Sequence, residues 1–171
     1  SNDLKKSDTY RYDLVDVMRQ CLSDLSLPLQ KQITEAYLAE DNEKLQQAGE
    51  QFLALIDDFD RLLGTRSTFL LGKWIKEARQ WGTTEKEKYL YEWNARTLVT
   101  VWGPNHSSAH LFEYSNRQWA GLMKGYYKPR WEKFISYLKA QPKGEWRYDE
   151  QYIRKSLAGR PALDASDFYT R

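Results

Sequence analysis

Apolar residues recur at spacings of three and four from Leu14 to Leu138, and this periodicity most constrains what the chain can fold into. The clearest stripe consists of Leu45, Ala48, Phe52, Leu55, Ile56, Phe59 and Leu63. Residues three and four apart lie on one face of an α-helix, so the pattern predicts a series of amphipathic helices. The sequence therefore predicts an all-α fold, a bundle of about seven helices joined by short loops.

Capping residues and helix breakers predict where the helices begin and end. The expected starts are Ser7 or Asp8, Pro28, Asp41 or Asn42, Thr84 with Glu87 as a capping box, and Pro129, and the expected ends are Gly64 and Gly82. The fifth helix is expected to continue to Val101, although residues 98–102 alone could pass for a strand because they alternate and are β-branched. A sixth helix is expected over residues 112–126, and a short one over 148–157.

The same periodicity predicts which residues of two helices face the core. On the first helix these are Leu14, Val17, Met18, Cys21, Leu22 and Leu25, and on the fifth they are Leu90, Trp93, Asn94, Thr97, Leu98 and Val101. Cys21 is the only cysteine of the chain, so it can form neither an internal disulfide nor a cysteine-based zinc site. Its place on the stripe predicts a buried structural thiol.

Length and charge limit the function. We expect one domain, because a chain of this length suits a single core. Ser1 and Asn2 look like a cloning remnant, so the domain is taken to cover residues 3–171. The 26 basic and 24 acidic residues are interspersed, whereas a nucleic-acid-binding protein would carry a basic stripe. No apolar run is long enough to span a membrane. We therefore expect neither nucleic acid nor a membrane as a partner, and no cofactor.

No group of side chains predicts catalysis within the chain. His106, His110 and Glu113 could in principle bind zinc, but the surrounding Gly-Pro and Ser-Ser residues favour a loop over the continuous helix that this spacing needs. Acid–base catalysis by a pair of carboxyls needs one of them to be held protonated by its surroundings. The carboxylate groups Asp13/Asp16, Asp57/Asp58/Asp60 and Glu85/Glu87 are expected on polar, solvated helix faces. We therefore expect no catalytic residue and no metal site.

The chain also carries an unusual order of short motifs. They are Asn-x-Arg at 94–96, Leu-x-Thr-x-Trp-Gly-Pro at 98–104, Tyr-x-Asn-x-Gln-x-Ala-Gly-Leu at 114–122 and Tyr-Tyr-x-Pro-Arg-Trp at 126–131, preceded by Phe-Leu-Leu-Gly-Lys-Trp at 69–74. This order resembles the helical C-terminal domain of α-N-acetylglucosaminidases, glycoside hydrolase family 89. The strong part of the resemblance covers residues 69–134, whereas the tail after 141 matches weakly.

The resemblance implies that the chain is the C-terminal part of a larger enzyme. Enzymes of the family use two glutamates on a separate barrel domain, and this chain shows no series of βα units and is too short for the roughly 200 residues that eight units need. The implied partners are the catalytic barrel of the same polypeptide and a glycan ending in α-linked N-acetylglucosamine. The implied location is secreted, periplasmic or lysosomal. The alternative is a free-standing helical interaction module.

Three residues are candidates for substrate contact: Trp102, Asn105 and His106. Trp102 stands between a helix and the Gly-Pro break, where an indole could stack on a pyranose ring and a donor from Asn105 or His106 could bind hydroxyls. Trp102 could equally plug the end of the bundle. Arg96 is expected to pair with a buried carboxylate and Asn94 to hydrogen-bond a neighbouring group, as a polar clamp within the bundle. Contact with the substrate is the alternative for both residues.

Overall fold

The computed structural model describes residues 4–100, 102 and 117–140, and within these ranges it contains five α-helices and no β-strand. The helices are α1 (Asp8–Leu38), α2 (Asn42–Leu63), α3 (Leu71–Gln80), α4 (Glu85–Leu98) and α5 (Lys128–Lys139). Short 3₁₀ turns cover Leu4–Lys6 and Ser67–Phe69, and a π-helical segment covers Met123–Tyr127. The all-α prediction is confirmed, whereas the described part has five helices and not seven.

Most predicted helix ends are confirmed, because a cap is a local arrangement. The Ser7 hydroxyl accepts a hydrogen bond from the Tyr10 backbone N–H at the start of α1, at 3.3 Å. The Asp41 carboxylate caps α2 by accepting from the Lys44 N–H at 3.0 Å. Gly64 follows the last residue of α2 as its C-cap, with right-handed backbone angles.

The predicted helix break at Pro28 is wrong, because α1 runs through it for 31 residues. A proline inside a helix lacks the backbone N–H and crowds the preceding turn, which costs about 3 kcal/mol. Here α1 packs along α2, and its buried residues lie on both sides of the proline, with Val15 before it and Ile33 and Ala36 after it. We infer that this tertiary packing outweighs the local cost of the proline.

Helix α5 starts at Lys128, beside the expected start at Pro129, and it follows directly on the π-helical segment. In an α-helix the ring of Pro129 would meet the carbonyl of Gly125, four residues earlier. The π turn widens the chain here, since the Lys128 N–H donates to the Met123 carbonyl, five residues back. The predicted start of a sixth helix near 112 and the short helix at 148–157 lie outside the described residues.

The described residues group into two compact units, and the first comprises 4–69 and 118–140. Its centre is α2, which packs against α1 and α5 and buries every apolar residue of its predicted stripe. A Cβ added to Gly49 would lie only 2.9 Å from Ile135 Cγ2, so the absence of a side chain at this position lets α5 approach α2 closely. Trp131 of α5 packs against Phe52, with ring centroids 4.2 Å apart.

Two carboxylates of α2 hold the segment before α5. Asp60 accepts hydrogen bonds from the backbone N–H groups of Gly121 and Lys124, at 2.6 and 3.2 Å. Asp57 pairs with the Lys128 ammonium at 2.5 Å. Both carboxylates are partly buried and not fully solvated as predicted, and both bind groups that are far away in the sequence.

The second unit contains α3 and α4, joined as a helical hairpin by residues 81–84. Only glycine fits at position 82, because a Cβ there would lie 2.5 Å from the backbone nitrogen of Lys88. The predicted capping box is confirmed: the Thr84 hydroxyl accepts from the Glu87 N–H, and the Glu87 carboxylate accepts from the Thr84 N–H. This pair fixes the start of α4.

Glu87 also accepts from the hydroxyl and the backbone N–H of Thr83, at 2.6 and 2.8 Å. These hydrogen bonds, the Thr83 hydroxyl first among them, lower the pKa of Glu87 from 4.5 to about 2. A lowered carboxyl pKa stabilises the folded state above pH 4.5, and that stabilisation disappears as the pH falls from 4.5 towards 2. We expect NMR titration to place the Glu87 carboxyl near pKa 2, and Thr83→Val to raise that value. A midpoint near 4.5 in the unsubstituted protein would contradict the geometry.

The predicted inward faces of α1 and α4 are both wrong. Leu14, Val17, Met18, Cys21 and Leu25 of α1 are exposed, and so are Leu90, Trp93, Asn94 and Leu98 of α4. On α1 the face against α2 is rotated by one residue, so that Val15 and not Leu14 is buried. Cys21 is therefore an exposed thiol and not a buried one.

Candidate functional site

The C-terminal end of α4 positions the predicted contact residue Trp102. The helix ends at Leu98, earlier than the expected end at Val101. Near this end two threonine hydroxyls bond to backbone carbonyls one turn earlier. Thr97 donates to the Trp93 carbonyl at 2.9 Å, and the buried Thr100 donates to the Arg96 carbonyl at 2.7 Å. Such bonds compete with regular helical geometry and favour bending.

The chain then turns back over the helix end. The Trp102 N–H donates to the Thr97 carbonyl, five residues back, at 2.8 Å. Trp102 has a φ of +70°, which is uncommon for a residue with a bulky side chain and costs of order 1–3 kcal/mol. Backbone strain of this kind concentrates at functional sites. Trp102 is half-buried and so keeps surface that a ligand could contact.

The other predicted contact residues, Asn105 and His106, lie outside the described residues, as do His110 and Glu113 of the alternative zinc site. Within the described ranges, no three histidine, cysteine or acidic side chains come together as metal ligands would.

Three charged side chains join α3 to the C-terminal half of α4. Glu92 is only 5% exposed and lies between two guanidinium groups. Its Oε1 accepts from Nε and Nη2 of Arg96 at 2.8 and 2.6 Å, and its Oε2 accepts from Nη1 of Arg79 at 2.7 Å. The predicted pairing of Arg96 with a buried carboxylate is confirmed. Sequence reasoning missed Glu92 and Arg79, although Glu92 lies one helical turn before Arg96.

A second link comes from Trp74 of α3, whose indole N–H donates to the Ala95 carbonyl of α4 at 2.9 Å. Together with the Glu92 cluster, this bond fixes α4 on α3 and thereby the backbone that leads to Trp102. Asn94 does not form the expected buried clamp, because its side of α4 is exposed. The arrangement therefore places one aromatic side chain just beyond the end of a helix that is bonded to its neighbour.

The nearby carboxylates are not suited to acid catalysis. The Lys88 ammonium beside Glu85 lowers the pKa of that carboxyl, and the Thr83 hydroxyl lowers the pKa of Glu87. A general acid in glycoside hydrolysis needs the opposite, a raised pKa.

In the part of the chain that is described, none of the helices has the combination of length and apolarity that crossing a bilayer requires.

Comparison with known proteins gives one consistent answer. The family profile described as the Alpha-N-acetylglucosaminidase (NAGLU) C-terminal domain matches residues 1–160. Alpha-N-acetylglucosaminidase from Homo sapiens is 37% identical over 136 residues, which are 79% of this chain and 18% of that protein.

Two solved structures of a family 89 glycoside hydrolase from Clostridium perfringens are similar to the chain. The complex with 2-acetamido-1,2-dideoxynojirmycin is 34% identical with a TM-score of 0.86, over 96% of this chain and 20% of that one. The second is a variant with two glutamates replaced by glutamine, in complex with its substrate GlcNAc-alpha-1,4-galactose. It is 35% identical with a TM-score of 0.84, over 94% of this chain and 19% of that one.

The chain thus spans about a fifth of the length of these relatives, and the family match covers nearly all of it. The helical fold, the motif order and the sequence identities all indicate the same family. This chain belongs to the family of α-N-acetylglucosaminidase C-terminal domains, within glycoside hydrolase family 89.

Proposed function

We propose that this domain packs on the catalytic barrel of its own polypeptide and helps to wall the sugar pocket, and that the parent enzyme hydrolyses terminal α-linked N-acetylglucosamine. The bacterial relative is solved with a substrate that carries this linkage, GlcNAc-alpha-1,4-galactose. The family resemblance implies that the catalytic glutamates lie on the barrel. This domain would therefore contribute positioning and shape, and the barrel would contribute the reacting groups.

The observation that carries the proposal is the geometry of Trp102. Its backbone is held at a φ of +70° by the turn over the end of α4, and the residue remains half-buried. An indole presents a flat apolar face that can stack on the apolar face of a pyranose ring, and aromatic walls are common in ligand sites at domain boundaries. A strained and rigidly supported tryptophan suits that role.

The exposed side of α4 supports the packing role. Leu90, Trp93 and Leu98 are all exposed on a helix that leads directly to Trp102. Aromatic residues are enriched in the cores of protein interfaces, where their large apolar surfaces are desolvated. Covering this surface with the barrel would bring Trp102 towards the same boundary.

The substitution Trp102→Ala in the full-length enzyme tests the proposal. We expect kcat/KM for a chromogenic α-N-acetylglucosaminide to fall 10- to 100-fold, or roughly 1.4 to 2.7 kcal/mol of transition-state stabilisation, because the stacking wall is lost and water enters. The thermal midpoint should change little. If Trp102 is instead a core residue, its truncation should cost roughly 3 to 5 kcal/mol of stability.

Two controls separate these outcomes. Trp102→Phe keeps an aromatic face and should retain most of kcat/KM. Trp81→Ala removes a tryptophan of the same unit that is 80% exposed, and it should leave kcat/KM unchanged. A Trp102→Ala enzyme with a much lower midpoint and normal kinetics in the folded fraction would refute the role in the pocket.

A further inference from the structure

A side-chain hydroxyl takes the place of a backbone donor where the chain leaves helix α4. In a continuing helix the Thr100 N–H would donate to the Arg96 carbonyl, four residues back. Here the Thr100 hydroxyl donates to that carbonyl at 2.7 Å, and the Thr100 N–H donates to the Thr97 carbonyl, three residues back, at 3.3 Å. Thr100 therefore satisfies with its own side chain the acceptor that the next helical bond would use.

The turn that follows fixes the backbone of Trp102. The Thr97 carbonyl also accepts the Trp102 N–H, at 2.8 Å, and Trp102 has a φ of +70°. A tryptophan does not favour this backbone conformation, so its surroundings must hold it there. Because Thr100 bonds to α4 only two residues earlier, its hydroxyl is well placed to set the path of the chain into Trp102.

The burial of Thr100 gives its hydroxyl more influence than an exposed threonine would have. Thr100 is 3% exposed. Thr34 of α1 makes the same type of bond, from its hydroxyl to the Gln30 carbonyl four residues back at 3.1 Å, but it lies on the surface. Water can replace a hydroxyl that is lost at an exposed site, whereas the loss of a donor at an enclosed site leaves the acceptor unsatisfied or makes the backbone move.

We propose that the Thr100 hydroxyl is a positioning group that sets the direction of the Trp102 indole, and thereby how well that indole walls the sugar pocket. This inference rests on the proposed role of Trp102 and deepens it, since Thr100 touches no substrate itself and acts through the indole. Without the hydroxyl, the Thr100 N–H can return to the Arg96 carbonyl and α4 can lengthen. Each residue added to a helix turns the chain by about 100°, which would carry the indole away from its present direction.

The substitution Thr100→Val in the full-length enzyme tests this role, because valine keeps the branched shape of threonine but lacks the hydroxyl. We expect kcat/KM for a chromogenic α-N-acetylglucosaminide to fall about 5- to 50-fold, and no further than in Trp102→Ala, because a misplaced wall is worth no less than a missing one. Thr100→Ser keeps the donor and should retain at least about half of kcat/KM. Thr34→Val is the matched control: it loses the same type of bond at an exposed site and should leave kcat/KM unchanged.

A double-mutant cycle distinguishes positioning of Trp102 from general support of the fold. In an enzyme that already carries Trp102→Ala, Thr100→Val should lower kcat/KM less than about 2-fold, because the residue through which Thr100 acts is gone. An equal fall in both backgrounds would overturn the inference, since the hydroxyl would then act by another route. A lower thermal midpoint with normal kcat/KM in the folded fraction would overturn it too. If Thr100→Val does not fold, Thr100→Ala, which removes the hydroxyl and cannot clash, is taken through the same cycle.

The single variants separate a failure of this inference from a failure of the proposed function. Normal kcat/KM in Thr100→Val beside a loss in Trp102→Ala rejects the positioning role and leaves Trp102 in the pocket. Normal kcat/KM in Trp102→Ala rejects the role of Trp102 in the pocket, and with it the positioning role that depends on it.

Discussion

Replacing Glu92 with leucine is expected to lower the free energy of unfolding of the α3–α4 hairpin by about 3 to 5 kcal/mol. The carboxylate lies almost completely buried between Arg79 and Arg96, and its two oxygens accept three hydrogen bonds from them. Leucine would remove the buried carboxylate that accepts all three of these hydrogen bonds and offsets the charge of both guanidinium groups. Because Arg79 is partly exposed and can turn towards water, we expect the lower part of this range.

Urea denaturation followed by circular dichroism measures this loss, and Glu85→Gln is the matched control. Glu85 lies 3.6 Å from the same Arg79 but is almost fully exposed, so its loss should change the denaturation midpoint little. Glu92→Gln keeps a hydrogen-bond acceptor but removes the charge. Its loss of stability should lie between those of Glu92→Leu and Glu85→Gln. A Glu92→Leu loss no larger than that of the control would show that the cluster does not hold the hairpin.

The 171-residue chain, purified alone, is expected to show no turnover of α-N-acetylglucosaminides. Enzymes accelerate such reactions by at least about a millionfold, and this requires an acid and a nucleophile or base in defined positions. The carboxylates discussed above have structural partners: Glu92 binds two arginines, Glu87 caps α4, and Asp60 caps the segment before α5. The family resemblance places the reacting glutamates on the barrel.

The full-length enzyme, assayed in parallel, is the positive control for this prediction. Turnover by the purified chain that a substitution within residues 3–171 abolishes would contradict it, because the reacting groups would then lie in this domain. A contaminating hydrolase would give turnover that such a substitution does not remove.

Features governed by neighbouring residues could be predicted from the sequence. The stripe of α2 is buried as expected, and the caps at Ser7, Asp41 and Thr84 are present. A cap depends on three or four consecutive residues, so its physics is contained in a short window. The same short window wrongly predicts a helix break at Pro28. The packing of α1 along α2 offsets the cost of the proline, and this packing involves residues far away in the sequence.

The orientation of α1 and α4 could not be predicted from periodicity. Each helix carries more apolar surface than one neighbour can cover, so the spacing alone does not tell which side faces inwards. On α1 the stripe that begins at Leu14 looked stronger than the one that begins at Val15, yet Val15 is buried. The stronger stripe is the exposed one.

The candidate site was predicted in part. The position of Trp102 after the last turn of α4 and the pairing of Arg96 with a carboxylate both follow from the motif order and from charge. The positive φ of Trp102 could not be predicted, because tryptophan does not favour it and the turn over the helix end imposes it. The substrate contacts of Trp102, Asn105 and His106 remain predictions, and the last two residues lie outside the described residues.

Co-expression of the enzyme as two pieces, the upstream part and this chain, tests the central claim most directly. The account predicts that the upstream part alone has little activity, that this chain restores it, and that the Trp102→Ala chain binds equally well but restores at least about 10-fold less kcat/KM. Full activity of the upstream part alone, unchanged by adding this chain, would contradict the account, because the sugar pocket would then be complete without this domain.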